Sequence, residues 1–103
     1  MRVLIIGFGS MGREVEKVLL ERGHTVSARV DPAQKGVDAK ELGSELAGKS
    51  DIAIEFSHAD AVLENARRYV SFGLSAVCGT TGWYGRLEEL KGIVGPSRIG
   101  YLY

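Results

Sequence analysis

A glycine-rich hexamer sits between an apolar run and a helical repeat, and few folds accommodate that order. Residues 2–7 read Arg-Val-Leu-Ile-Ile-Gly. A short continuous apolar stretch closed by glycine predicts a strand buried on both faces, as in a parallel sheet. The hexamer Gly7-Phe8-Gly9-Ser10-Met11-Gly12 follows at once with the spacing G-x-G-x-x-G. Met11, Val15, Val18 and Leu19 then fall at i, i+4, i+7 and i+8, while Arg13, Glu14, Glu16 and Lys17 take the opposite side. That period predicts an amphipathic helix with its apolar stripe turned to the sheet, and Gly23 is placed to stop it.

The rest of the chain repeats the alternation. Residues 25–30 predict a second strand ending at Asp31-Pro32, because proline cannot continue an interior ladder. Residues 33–50 are the least regular, with one short helix expected over 39–46. A third strand is expected over 51–56, and a helix over 60–72 with Val62, Ala66, Tyr69 and Val70 on one face and Gly73 closing it. A fourth strand over 74–78, a helix over 84–94 with Leu87, Leu90 and Val94 inward, and a fifth strand from 98 complete the pattern. The expected fold is α/β, a single-domain Rossmann-like parallel sheet with helices on both faces and right-handed crossovers. Ligands then belong at the carboxyl ends of the strands. The chain stops on the apolar Tyr101-Leu102-Tyr103, and further residues are expected beyond it.

Charge and cysteine usage narrow the function classes. Thirteen Lys and Arg balance thirteen Asp and Glu, so no global basic field exists to attract nucleic acid or an anionic membrane. No apolar run approaches the roughly 18 residues of a membrane span. The N-terminal apolar run is shorter than the roughly 7 to 15 residues of a signal-peptide core. A single cysteine, Cys78, excludes an internal disulfide and a Cys-rich metal site and agrees with a reducing compartment, so a cytoplasmic location and no metal are expected. Glycine is in excess: 14 in 103 residues is about twice the usual roughly 7%, which calls for tight turns or close approaches.

In the hexamer each glycine has a physical task. Gly7 allows the turn, Gly9 removes a Cβ that would hold a pyrophosphate away, and Gly12 lets the helix approach the sheet. The free N–H groups at the helix start, around Phe8, Ser10 and Met11, then face phosphate, where the helix dipole favours negative charge. Asp31 lies 19 residues after Gly12 at the end of the second strand, where a carboxylate can accept hydrogen bonds from an adenosine ribose. Dinucleotide binding is therefore expected. NAD(H) is preferred because Asp31 would repel a 2′-phosphate and residues 32–34 bring no arginine, although Lys35 leaves NADP(H) possible. Two further strand ends carry unusual residues, Glu55-Phe56-Ser57-His58 and Cys78-Gly79-Thr80-Thr81-Gly82, and both should open on the same rim as Gly9.

The glycine turn, Phe56-Ser57 and Gly79-Thr80-Thr81-Gly82 together resemble the N-terminal domain of 4-hydroxy-tetrahydrodipicolinate reductase, also called dihydrodipicolinate reductase, over essentially the whole chain. Glu55 stands where that family usually carries aspartate. The resemblance implies hydride transfer from NADH or NADPH to a cyclic dicarboxylate imine of lysine biosynthesis. It also implies that Phe56, Gly79, Thr80 and Thr81 belong to the cofactor site, with Thr81 also reaching a substrate carboxylate. The family's catalytic histidine and lysine belong to a second domain, so no catalytic residue is expected here; the longer protein is expected to be a homo-oligomer, and this chain to bind cofactor without catalysing reduction. Two other functions remain open at this level: a stand-alone NAD(H)-binding regulatory module, and the N-terminal domain of another amino-acid dehydrogenase such as homoserine or aspartate dehydrogenase. His58 is expected to be solvated, Cys78 to be a core thiol, and Trp83 and Tyr84 to cover the last helix.

Overall fold

The computed structural model describes residues 1–103. The first apolar run forms β1 (Arg2–Ile6), with Val3, Leu4, Ile5 and Ile6 all buried. The helical repeat forms α1 (Ser10–Glu21) and leads to β2 (Thr25–Val30). There follow α2 (Ser44–Gly48), β3 (Ile52–Glu55), α3 (Val62–Phe72), β4 (Ala76–Cys78), α4 (Leu87–Val94) and β5 (Tyr101–Leu102). The sheet has the order β2-β1-β3-β4-β5 and every neighbouring pair is parallel.

That order reverses direction between β1 and β3. The chain steps one way from β1 to β2 and the other way afterwards. Right-handed crossovers then put α1 on one face of the sheet and α2, α3 and α4 on the other. Side-chain contacts agree: Ile5 lies under α1, whereas Glu55, one register position away on the opposite pleat, bonds to Tyr69 and Asn65 of α3. Both core clusters lie on the three-helix face. One gathers Leu4, Ile6, Val30, Leu42, Tyr69 and Leu74, the other Val62, Leu63, Cys78, Trp83 and Leu90. Fully burying a leucine or isoleucine contributes about 1.5 to 3 kcal/mol, so this face holds the domain together.

The expected architecture is observed, with several local corrections. The stripe of α1 is turned by one residue: Gly12 is buried and Val15, Glu16 and Leu19 are half-buried, while Met11 and Val18 are exposed. Close approach at Gly12 sets this rotation, and Glu16 leaves the outer face to pair with Arg29. No helix begins at 39. Ala39 instead bridges to Val30 in parallel and its carbonyl accepts from the Asp31 N–H at 3.0 Å, so the backbone there extends the edge of β2 and α2 starts only at Ser44. Single 3-10 turns, Ala59–Ala61 and Tyr84–Arg86, stand where the last two long helices were expected to begin. Strands β4 and β5 are shorter than their apolar runs. No helix is long and apolar enough to cross a membrane.

Candidate functional site

Three loops leave the carboxyl ends of β1, β3 and β4 and converge on the switch point. Gly7 has φ +91°, and a Cβ there would lie 2.0 Å from the Phe56 carbonyl oxygen, so the turn after β1 runs directly against the loop after β3. A Cβ on Gly12 would lie 2.0 Å from the Gly7 carbonyl oxygen, which fixes the start of α1 over the turn. Gly9 differs from both. Its φ is −80°, and a Cβ there would meet nothing within 4 Å. The fold has no need of glycine at Gly9, and the open space above it borders the first turn of α1, which no side chain caps. Uncapped N–H groups at a helix start favour an anion. The exposed Arg13 adds a cation there, with its guanidinium 4.7 Å from the Phe8 ring centroid. Ser10 and Met11 are exposed beside it, while the Phe8 side chain is buried.

Asp31 ties β2 to this turn. Its carboxylate accepts from the N–H of Phe8 at 2.7 Å, of Ala33 at 2.8 Å and of Gln34 at 3.2 Å. Burial alone would push its carboxyl up, but the three N–H donors and the nearby His58 outweigh that and hold it below the usual carboxylate range. A cleft of about 470 Å³ opens beside it, between the ends of β1 and β2 and the start of α3, with Ser57, His58, Asn65 and Arg68 on its wall. A cleft of that volume is large enough for a nucleoside.

The loops after β3 and β4 are bound to each other. The Gly79 N–H donates to the Glu55 carbonyl at 2.8 Å, and the Ser57 N–H donates to the Thr80 hydroxyl at 2.8 Å. The half-buried Phe56 lays its ring on Gly79 so closely that a Cβ would fall 2.2 Å from Cε1. Thr80 is buried and its carbonyl accepts from the Trp83 indole at 2.7 Å. Thr81 is left exposed on the rim. The structure thus joins Gly7 to Gly12, Asp31, Phe56, Gly79 and Thr80 in one connected assembly with Thr81 at its edge.

The sequence matches the family described as dihydrodipicolinate reductase, N-terminus, over residues 1–96. The chain belongs to that family. It is 34% identical over 118 residues to the 4-hydroxy-tetrahydrodipicolinate reductase of Moorella thermoacetica, with 97% of this chain and 44% of that protein aligned. The Christiangramia forsetii enzyme of the same name is 24% identical over 103 residues, covering 100% of this chain and 41% of that protein. The chain therefore spans less than half the length of these curated relatives. Among solved structures, a hyperthermophilic archaeal homoserine dehydrogenase in complex with NADPH superposes with a TM-score of 0.73 at 16% identity, covering 99% of this chain and 43% of that one. Aspartate dehydrogenase from Thermotoga maritima gives 0.70 at 19% identity, with 99% and 44% covered. These two likenesses show the Rossmann-like fold.

Within this reductase-family domain the residues set aside on sequence grounds fall into two groups. Cys78 and Trp83 are core: the Cys78 thiol is buried and burial pushes it up, and Trp83 packs among Val62, Leu63 and Leu90. Tyr84 is exposed against the Trp83 ring. His58 is exposed, but on the cleft wall. Sequence inspection missed Arg13, Asn65 and Arg68. Arg13 read as the polar side of α1 although it stands one residue past the hexamer, which was the available signal. Asn65 and Arg68 gave none, because their place on the cleft depends on how α3 sits against β2. No cluster of three or more His, Cys, Asp or Glu side chains is arranged to hold a metal ion.

Proposed function

We propose that this chain is the NAD(P)-binding part of a 4-hydroxy-tetrahydrodipicolinate reductase of lysine (diaminopimelate) biosynthesis, a cytoplasmic enzyme, and that its substrate-binding and catalytic groups lie in a second domain outside residues 1–103. The bound cofactor supplies hydride to a cyclic dicarboxylate imine. Residues Gly7 to Gly12 cradle the pyrophosphate through the N–H groups of α1, and Asp31 borders the adenosine ribose. Phe56, Gly79, Thr80 and Thr81 line the nicotinamide side, with Thr81 also within reach of a substrate carboxylate. The longer protein assembles as a homo-oligomer.

The observation that carries this reading is Gly9: a glycine in ordinary backbone conformation, with empty space where a Cβ would be, at an uncapped helix start. The fold tolerates a side chain there and a pyrophosphate does not. Gly9→Val is therefore expected to keep the melting temperature within a few degrees and to weaken NADH binding at least about tenfold, or about 1.4 kcal/mol. Calorimetric titration beside thermal unfolding checks both. Wild-type affinity in Gly9→Val with unchanged melting would overturn the pyrophosphate cradle.

A further inference from the structure

Glu55 is fully buried and has no cationic partner, yet three side chains donate hydrogen bonds to its carboxylate. Tyr69 Oη donates to Oε1 at 2.7 Å, Asn65 Nδ2 donates to Oε2 at 2.9 Å, and the Ser57 hydroxyl also donates to Oε2. Burial pushes this carboxyl up, against the pull of those three donors. A buried unpaired carboxylate is a poor device for stability, since an apolar residue would fill the same space without desolvating a charge. Its effect on its neighbours is more specific. An ionised carboxylate accepts only, so each neighbour must turn a proton inward.

Two of those neighbours, Ser57 and Asn65, stand on the cleft wall. With its amide nitrogen turned to Glu55, Asn65 presents Oδ1 the other way. That oxygen takes no hydrogen bond from the protein and is not sealed from solvent. The Ser57 oxygen, its proton committed to Glu55, likewise keeps lone pairs free. We propose that Glu55, without touching the ligand, sets the hydrogen-bonding polarity of the cleft: it makes Ser57 and Asn65 acceptors, and so selects an adenosine whose donor groups meet that wall. Those donors are the 6-amino group of the base or a ribose hydroxyl. Glu55 is thus a positioning residue for nucleoside specificity, on the premise that the cleft receives the nucleoside of a dinucleotide. A 6-oxo purine would set its carbonyl against these acceptors, an arrangement that hydrogen-bonding sites reject strongly.

The test compares the dissociation constants of NADH, reduced nicotinamide hypoxanthine dinucleotide and the 2′-deoxyadenosine analogue of NADH, with melting temperatures alongside. Wild type is expected to bind NADH about tenfold more tightly than at least one analogue, and the weakened analogue tells whether base or ribose meets the wall. Glu55→Met keeps the length of the side chain but removes both acceptor oxygens, so Ser57 and Asn65 are free to turn their protons outward. The gap should then close to within about threefold, mainly through weaker NADH binding. A purely structural role would weaken all three ligands in proportion and leave the ratios unchanged. Equal affinities in wild type, or an undiminished gap in Glu55→Met, would overturn the role of Glu55 while leaving dinucleotide binding intact. Failure of all three to bind wild type would instead overturn the dinucleotide premise and the role of Glu55 with it. Should Glu55→Met not fold, Asn65→Ala removes one acceptor and keeps the buried charge; it too must narrow the ratio, and an unchanged ratio there counts against the proposal.

Discussion

Asp31 serves the fold directly and, under the proposed function, a ligand as well. Its carboxylate gathers the N–H groups of Phe8, Ala33 and Gln34, so it clamps the β2 turn to the glycine turn whether or not a ribose is present. The same bonds hold its carboxyl below the usual range despite burial, and the charge therefore persists at neutral pH. Glu41, Asp60 and Glu64 share the cleft with it, against Lys40 and Arg68, and Arg68 is already paired with Glu41 at 3.3 Å and Glu64 at 3.7 Å. Lys35 is exposed and lies off the cleft lining. A ribose 2′-phosphate entering there would meet four carboxylates and two cations. NADH is accordingly expected to bind at least about tenfold more tightly than NADPH at low salt, with the gap shrinking as salt screens the exposed charges. Titration of the chain with each cofactor at two ionic strengths decides it, and equal or tighter NADPH binding would remove Asp31 as the discriminating charge.

The ends of β3 and β4 act as one unit, because Phe56 lies on Gly79 and Ser57 bonds to Thr80. A methyl group added at Gly79 has to displace the Phe56 ring. Gly79→Ala is therefore expected to destabilise the domain by about 1 to 3 kcal/mol and to lose most of that effect in a Phe56→Ala background. Additive losses in a double-mutant cycle would show that the two residues are not in contact. Such pairings mark the boundary of what the sequence could convey. The apolar run of β1, the G-x-G-x-x-G spacing and the alternation of strands with helices specify the sheet and its switch point, because each is a local pattern with few structural solutions. The acid after β2 was equally legible, but its three backbone donors were not, since they come from a turn 23 residues earlier and from a loop with no period. The start of α2 was misplaced for a related reason. Ala39 is drawn into a bridge with Val30, a tertiary pairing that overrides helix propensity over 39–46. Glu55 read only as a strand end, because its burial depends on Tyr69 and Asn65 arriving from α3.

At the scale of the whole molecule, the loops proposed to face a dinucleotide open on one rim of the sheet, and a reduction there would need two further things. Hydride transfer requires the donor and acceptor carbons within roughly 3 to 3.5 Å and a positioned acid to protonate the product. Thr81, exposed on the rim, offers a hydroxyl but no proton source of suitable pKa. The Cys78 thiol and the Tyr101 hydroxyl are near the end of the sheet, but burial pushes both up, away from neutral pH. His58 is the one imidazole on these loops, yet it lines the cleft with Asp31 and Asp60. The chain also spans only 41% and 44% of the two reductases it was aligned with. The 103-residue chain is therefore expected to bind NADH without oxidising it when freshly generated 4-hydroxy-tetrahydrodipicolinate is added. Loss of the nicotinamide absorbance band, followed beside a binding titration, measures both halves of that expectation. Turnover above background that vanishes in His58→Ala would make His58 the acid and would mean that one domain suffices for the reaction. Binding without turnover, restored when the remaining part of a longer reductase is supplied, is the outcome that the proposed second domain requires.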